Sequence, residues 1–306
     1  MAVAQDTSEF RYLPGQARAL GAELPEVTRL TLPLPDGRTL SALRFGSAPP
    51  EVTFLHGAGL NAHTWDTTVL QVGRPTLVID LAGHGDSAWR EDRDYSPRTL
   101  AEDVALALAE WTFIPQVLVG QSLGGLVAAR VAAQHPDRVR ELIVIDITPG
   151  LSVDAAPSIL RDFYAVTDFA SRDEVADRAQ SFGFGGSRED TERGVFFNTR
   201  TRPDGRVEWK HHFAHLVGHA LDTLDPAPDD ATGRGAQGWA DLAAVTAPVT
   251  LVRGTRGFLQ DSDAEEFARR LPAATVTTVE AGHNVQETAS RAVADLVISA
   301  LGLPTR

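Results

Sequence analysis

The sequence contains no cysteine, which excludes disulfide bonds, thiolate metal sites and a cysteine nucleophile. It also has no apolar run near the ~18 residues that a membrane span needs. Its first residues, MAVAQDTSEFRYLPG, lack the basic and apolar segments of a signal peptide. We therefore expect a cytoplasmic protein with no membrane partner, and any covalent catalysis must use a side chain other than cysteine.

Basic residues are also few, with 28 Lys and Arg against 41 Asp and Glu and a formal net charge of −13. This charge disfavours nucleic acid as a partner. The chain of 306 residues, 43% of them hydrophobic, is long enough for one large domain that carries an insertion. A small-molecule partner is expected, and a homodimer is possible.

Apolar runs alternate with helical patterns along most of the chain. Residues 27–44 alternate apolar and polar residues around Asp36 and Gly37, which predicts a hairpin. Continuous apolar runs, typical of strands buried on both faces, occupy residues 52–57, 76–85, 116–122 and 142–149. Helical spacing follows at residues 98–112 and 124–139. This order predicts an α/β fold with a parallel sheet.

The alternation stops between residues 150 and 243, where aromatic and polar residues are mixed and two glycine-rich breaks occur. It resumes at residue 247 and continues to about residue 301. The pattern therefore predicts a core domain made of residues 1–149 and 244–306, and a helical cap made of residues 150–243.

The segment VGQSLGG, residues 119–125, contains the pattern G-x-S-x-G between a predicted strand and a predicted helix. A sharp turn of this kind exposes the serine, so Ser122 is a candidate nucleophile, although a turn serine without chemistry remains the alternative. The amide of Leu123 would stabilise an oxyanion at the helix N-terminus. A second donor is expected from HGAG, at Ala58 assisted by Gly59, with His56 holding that turn.

A serine nucleophile needs a base, and His283 in VEAGHNVQ follows an apolar strand near the end of the chain. Four cap histidines, spaced as on one helical face, could instead suggest a metal site. These are His211, His212, His215 and His219. They lack an accompanying acidic cluster, so we expect no metal.

Four motifs, HGAGLNAHTW, DLAGHGDS, GQSLGG and EAGHNVQ, occur in the order found in the α/β-hydrolase superfamily, which this sequence resembles over residues 25–150 and 240–302. It is most similar to capped serine esterases and carbon–carbon bond hydrolases. The resemblance implies the α/β-hydrolase fold, a mostly parallel eight-stranded sheet with helices on both faces and a helical cap after strand six. It also implies a catalytic triad and no cofactor.

The third triad member departs from the commonest family pattern. Most relatives carry the acid in the loop after strand seven, but residues 255–257 are Thr, Arg and Gly here, and Asp261 and Asp263 come late, where a helix begins. Asp146 ends the apolar run LIVID, 24 residues after Ser122, and matches the position that a subset of the superfamily uses. Asp146 is therefore the favoured acid, with Asp261 or Asp263 as alternatives.

These residues predict a serine hydrolase that cleaves a carboxylic ester or a lactone through an acyl-enzyme on Ser122. A carbon–carbon bond hydrolase or enol-lactonase with the same triad, and a non-catalytic small-molecule binder on the same fold, remain alternatives. Phe163, Phe184 and Trp209 are candidates for a substrate pocket above the serine, unless they only pack the cap.

Overall fold

The structure is a computed structural model that describes residues 8–151, 158–216 and 235–304. Its strands are β1 (Val27–Pro33), β2 (Thr39–Phe45), β3 (Val52–Leu55), β4 (Thr76–Asp80), β5 (Gln116–Gln121), β6 (Val139–Ile145), β7 (Asp168–Phe169), β8 (Thr199–Thr201), β9 (Val207–Trp209), β10 (Val249–Arg256) and β11 (Thr275–Gly282). Eight of them form one sheet in the order β1-β2-β4-β3-β5-β6-β10-β11. β2 pairs antiparallel with β1 and β4, and the other neighbours are parallel.

The helices are α1 (Leu13–Leu20), α2 (Asp66–Val72), α3 (Pro97–Trp111), α4 (Leu123–Gln134), α5 (Ser158–Tyr164), α6 (Arg172–Ser181), α7 (Arg188–Asn198), α8 (Ala236–Ala244), α9 (Asp261–Arg270), α10 (Val285–Thr288) and α11 (Ser290–Ala300). In the described ranges, none of them combines the length and the apolar character that a membrane crossing requires.

The predicted hairpin at residues 27–44 is confirmed as β1 and β2. Its turn closes with a hydrogen bond of 2.8 Å from the amide of Leu34 to the carbonyl of Arg38. Gly37 adopts φ of 85° in this turn, a conformation that favours glycine.

The central strands are apolar at successive positions because both faces of the sheet are covered. On β5, the side chain of Leu118 packs with α3 and α4, whereas Val117 and Val119 pack with α2 and α11 on the opposite face. All three residues are fully buried. The predicted parallel sheet with helices on both faces is therefore confirmed.

The segment between β6 and α8 contains α5, α6 and α7 together with a small antiparallel sheet in the order β7-β9-β8. The sequence pattern predicted helices there but not this sheet. Strands of two or three residues are too short to show the alternation of apolar and polar residues that identifies a strand. The segment has its own hydrophobic cluster, which includes Phe163, Phe169, Val175 and Trp209.

The two ends of this inserted segment meet at a pair of glycines. A Cβ atom on Gly235 would lie only 2.2 Å from the amide nitrogen of Gly150. Helix α8, which the sequence pattern placed inside the cap, packs on the core, where Leu242 joins the main cluster and Arg130 pairs with Asp241 at 3.0 Å. We therefore propose that the inserted segment ends at Gly235 and that α8 belongs to the core.

Candidate active site

Ser122 occupies a strained turn between β5 and α4. Its backbone has φ of 52° and ψ of −122°, which a non-glycine residue rarely adopts. A Cβ on Gly120 would lie 2.2 Å from the carbonyl oxygen of Gly124, and one on Gly124 would lie 2.4 Å from that of Leu55. Both glycines of the motif therefore permit a close approach, Gly120 between β5 and the first turn of α4, and Gly124 between α4 and the end of β3.

The HGAG turn lies against this serine. A Cβ on Gly57 would be 3.2 Å from the Cβ atom of Ser122, and the next residue, Ala58, is exposed. Gly59 continues the turn with φ of 75°. Leu123 is the first residue of α4, and such an amide has no carbonyl partner within its own helix.

His56 holds this turn, as expected from the sequence. Its Nδ1 donates to the carbonyl of Gly57 at 2.8 Å, and its Nε2 accepts from the amide of Leu81 at 3.0 Å. Burial lowers the pKa of this histidine, which keeps the ring neutral and able to serve both bonds.

Asp146 and His283 are brought into direct contact. Nδ1 of His283 donates to Oδ2 of Asp146 at 2.8 Å, with the aspartate side chain fully buried and the histidine side chain 19% exposed. The carboxylate also accepts from the amide of Gly254 at 3.0 Å and from that of Phe258 at 2.7 Å. Because Nδ1 carries the proton toward Asp146, Nε2 of the neutral ring is left as an acceptor.

The loop after β10 does not supply the acid that contacts His283. Its backbone instead surrounds the carboxylate of Asp146. A Cβ on Gly257 would lie 2.2 Å from Oδ2 of Asp146, so only glycine leaves room at that position. The ring of Phe258 stacks on His283 with centroids 3.6 Å apart and planes 14° apart. Neither role was predicted, although a glycine in place of the usual acid was a signal.

The alternative acids lie elsewhere, at the start of α9. Asp261 pairs with Arg253, and its side chain is 83% exposed. Asp263 accepts from the amide of Gln260 at 2.7 Å and so caps the helix. The structure does not bring either carboxylate to His283.

Gln121 connects the parts of the site and was not among the predicted site residues. Its side chain is fully buried, and its Nε2 donates to the carbonyl of His283 at 3.2 Å. Its Oε1 would lie 2.2 Å from a Cβ on Gly57, so it also packs against the HGAG turn. Gln121 therefore links the histidine loop to that turn.

The predicted pocket aromatics pack inside the inserted segment. Phe163 and Trp209 are 5% and 3% exposed, and Phe184 packs against the same cluster. Other side chains lie over the HGAG turn, since a Cβ on Gly59 would be 3.1 Å from the hydroxyl of Tyr164 and 3.9 Å from Cε1 of His211. Tyr164 and His211 thus form a wall over the HGAG turn. The buried rings of Phe163 and Trp209 pack behind this wall and support it.

Two of the histidines considered for a metal site are engaged in other contacts. Nδ1 of His211 accepts from the amide of Ala214 at 3.1 Å, and His212 stacks on Trp89 with centroids 4.4 Å apart. His215 is exposed, whereas His219 lies outside the described residues. Among residues 8–151, 158–216 and 235–304, no three or more His, Cys, Asp or Glu side chains are placed to hold a metal ion.

Comparison with known proteins agrees with this architecture. Residues 54–296 match the model of the alpha/beta hydrolase family. The esterase Rv0045c of Mycobacterium tuberculosis is 37% identical over 301 residues, which cover 94% of both chains. A solved structure of that esterase superposes with a TM-score of 0.81 at 36% identity, covering 96% of this chain and 99% of the other.

A pimeloyl-[acyl-carrier protein] methyl ester esterase of Aeromonas salmonicida is 33% identical over 161 residues, which are 50% of this chain and 61% of that protein. The family model and the full-length similarity to an esterase lead to one assignment. The chain belongs to the alpha/beta hydrolase family and is an enzyme of its ester-hydrolysing branch.

Proposed function

We propose that this enzyme hydrolyses a small-molecule carboxylic ester through an acyl-enzyme on Ser122, with His283 as the base and Asp146 as the triad acid. The contact between His283 and Asp146 carries the proposal, because the buried carboxylate is held by two amides and oriented toward Nδ1. A histidine fixed in this tautomer can accept a proton only at Nε2.

In the first half-reaction, Nε2 of His283 removes the hydroxyl proton of Ser122 as the serine oxygen attacks the ester carbonyl. The amides of Leu123 and Ala58, assisted by that of Gly59, stabilise the oxyanion of the tetrahedral intermediate. The imidazolium, stabilised by Asp146, then protonates the leaving alcohol as the carbon–oxygen bond breaks.

In the second half-reaction, water attacks the acyl-enzyme and gives its proton to the same nitrogen of His283. The second tetrahedral intermediate uses the same amides, and the serine oxygen leaves with the proton from the imidazolium. These steps require no cofactor and no metal.

Substrate selection is proposed to occur at the wall above the HGAG turn, where Tyr164, His211 and Phe213 face Gly59. This wall combines an aromatic surface with one hydroxyl and one buried imidazole. Two relatives bear names that specify ester cleavage, the esterase Rv0045c and the pimeloyl-[acyl-carrier protein] methyl ester esterase, which supports an ester as the substrate class.

The nucleophile is tested by Ser122→Ala with p-nitrophenyl butyrate as substrate. We expect kcat to fall by roughly 10⁶-fold or to the detection limit, because the attacking oxygen is removed. Labelling by a fluorophosphonate, read by mass spectrometry, should disappear as well. Ser262→Ala, on the exposed side of α9, is the matched control and should retain both readouts. Full turnover by Ser122→Ala would overturn the assignment.

A further inference from the structure

The HGAG turn presents two free amides beside the proposed nucleophile. It is closed by a hydrogen bond of 3.2 Å from the amide of Leu60 to the carbonyl of Gly57, so Ala58 and Gly59 are its two central residues. The φ of 75° at Gly59 is typical of the third residue of a type II turn. In the ranges that the structure describes, neither central amide donates to another atom of the protein. Both are therefore available to a substrate that reaches Ser122.

The hydroxyl of Tyr164 faces the same turn from the inserted segment. Tyr164 is the last residue of α5, and a Cβ on Gly59 would lie 3.1 Å from its hydroxyl oxygen. Among the described residues, this hydroxyl has no hydrogen-bond partner. By contrast, the other two tyrosines of the chain, Tyr12 and Tyr95, both have hydrogen-bonded hydroxyls. The Tyr164 hydroxyl is thus a third unused donor at the HGAG turn.

Aromatic side chains fix the phenol ring of Tyr164 in this position. Four rings pack edge to face against it with centroid distances from 4.8 to 5.7 Å, those of Phe163, Trp209, His211 and Phe213. Such contacts restrict the ring, so its hydroxyl is held at the turn before a substrate binds. Burial raises the pKa of Tyr164, which keeps the hydroxyl protonated and able to donate.

We propose that the hydroxyl of Tyr164 donates a hydrogen bond to the oxyanion of the tetrahedral intermediate, together with the amides of Leu123 and Ala58. The inference rests on the proposed function, because the oxyanion forms only when Ser122 attacks an ester. Tyr164 keeps its proton throughout, and the proton of Ser122 passes to His283. A donor that is already in place stabilises the charge of the transition state without reorganisation. The inserted segment therefore completes the active site in addition to covering it.

Tyr164→Phe tests the inference, because it removes the hydroxyl and keeps the ring in its contacts. With p-nitrophenyl butyrate, we expect kcat to fall by about 10²-fold and KM to change by less than about threefold, as for a donor that acts on the transition state. The acetate and hexanoate esters should show the same loss, since the hydroxyl contacts the reacting carbonyl and not the acyl chain.

Tyr12→Phe is the matched control. Its hydroxyl accepts from Arg11, and its ring packs edge to face on Phe196 of the inserted segment. This variant also removes one phenolic hydroxyl beside the inserted segment, but away from the HGAG turn, and should retain kcat. Thermal unfolding of both variants verifies that the fold is intact.

Inhibition by 1-butaneboronic acid provides a readout without turnover. The oxygen of Ser122 bonds to boron, its proton passes to His283, and the tetrahedral adduct places a boron-bound oxygen at the oxyanion position. We expect Tyr164→Phe to weaken this inhibition by about tenfold or more, because the adduct resembles the transition state. Inhibition by butyrate, a planar product, should change by less than about threefold. A purely structural role of Tyr164 would change both constants or neither.

An unchanged kcat of Tyr164→Phe would overturn the inference, as would a rise in KM alone or equal losses for the boronate and for butyrate. The Ser122→Ala variant separates this inference from the proposed function. An inactive Ser122→Ala protein beside a fully active Tyr164→Phe protein rejects only the role of the hydroxyl. Turnover by Ser122→Ala rejects the proposed function itself.

Discussion

At the scale of single residues, the surroundings of Asp146 fix the geometry of the proposed active site. Its carboxylate is fully buried, and a charge there is stable only when its oxygens are hydrogen bonded. The amides of Gly254 and Phe258 and the ring N–H of His283 provide these bonds. His283 is therefore held in one tautomer and one orientation before any substrate arrives.

The first prediction concerns this carboxylate. Asp146→Asn should lower kcat for p-nitrophenyl butyrate by on the order of 10⁴-fold, because an amide presents a donor to His283 and favours the wrong tautomer. Asp261→Asn should have little effect, since that side chain is exposed and pairs with Arg253. The reverse pattern of kcat values would assign the acid to the loop after β10.

The second prediction concerns the space around the carboxylate. Gly257→Ala should lower kcat by about 10²-fold or more, because the new Cβ would lie 2.2 Å from Oδ2 of Asp146 and displace it from His283. Gly282→Ala, at the end of β11, has open space around its Cβ position and should retain activity. Equal kcat values for the two variants would contradict this interpretation of Gly257.

At the scale of elements, the inserted segment is attached to the core at its base and by contacts with the loops after β3 and β4. The amide of His212 donates to the carbonyl of Gly83 at 2.7 Å. Nε1 of Trp89 donates to the carbonyl of Lys210 at 2.7 Å. The segment has its own aromatic cluster, so its packing is largely separate from that of the sheet.

The third prediction follows from the contact between Gly150 and Gly235. Replacement of residues 151–234 by a Gly-Ser linker should leave a core that unfolds cooperatively, since the linker joins points that already touch. Ser122 of this shortened protein should still react with a fluorophosphonate, whereas discrimination between acyl chains should decrease. A chain that shows no cooperative unfolding by circular dichroism would contradict the proposed boundary.

At the scale of the whole molecule, His63 makes stability depend on pH. Its pKa is about 9 in the folded protein, against 6.5 for an ordinary histidine, because Asp66 opposes the effect of burial. The protonated form therefore stabilises the fold fully below pH 6.5, and this contribution, about 3 kcal/mol at most, is lost as pH rises through 9.

The fourth prediction is that the melting temperature of the wild type falls between pH 6.5 and 9 and that His63→Gln removes most of this dependence. His135→Gln, at the end of α4, is the matched control and should follow the wild type. Thermal unfolding at several pH values measures the difference. A profile of His63→Gln that parallels the wild type would contradict the assignment.

The sequence was sufficient to predict the sheet and the approach of Asp146 to His283, whereas the small sheet of the inserted segment was not predictable. Runs such as LIVID are long enough to identify a strand buried on both faces. β7, β8 and β9 are too short to show a period of apolar residues in the sequence. The packing of Phe163 and Trp209 depends on tertiary contacts, which composition does not specify. The catalytic roles of Ser122, His283 and Asp146 stay predictions until the variants are measured.

The main-chain hydrogen bonds to Asp146 also affect which substitutions homologues can tolerate at residues 254–257. The side chains of Thr255 and Arg256 are exposed, so drift at these positions leaves the buried carboxylate in place. Gly254 and Gly257 do not tolerate substitution in the same way. A Cβ on Gly254 would collide with the carbonyl of Gly282, and a Cβ on Gly257 would collide with the carboxylate of Asp146. In homologues that share this arrangement, a pair of glycines spaced by two variable residues should mark the place where other members carry an acid.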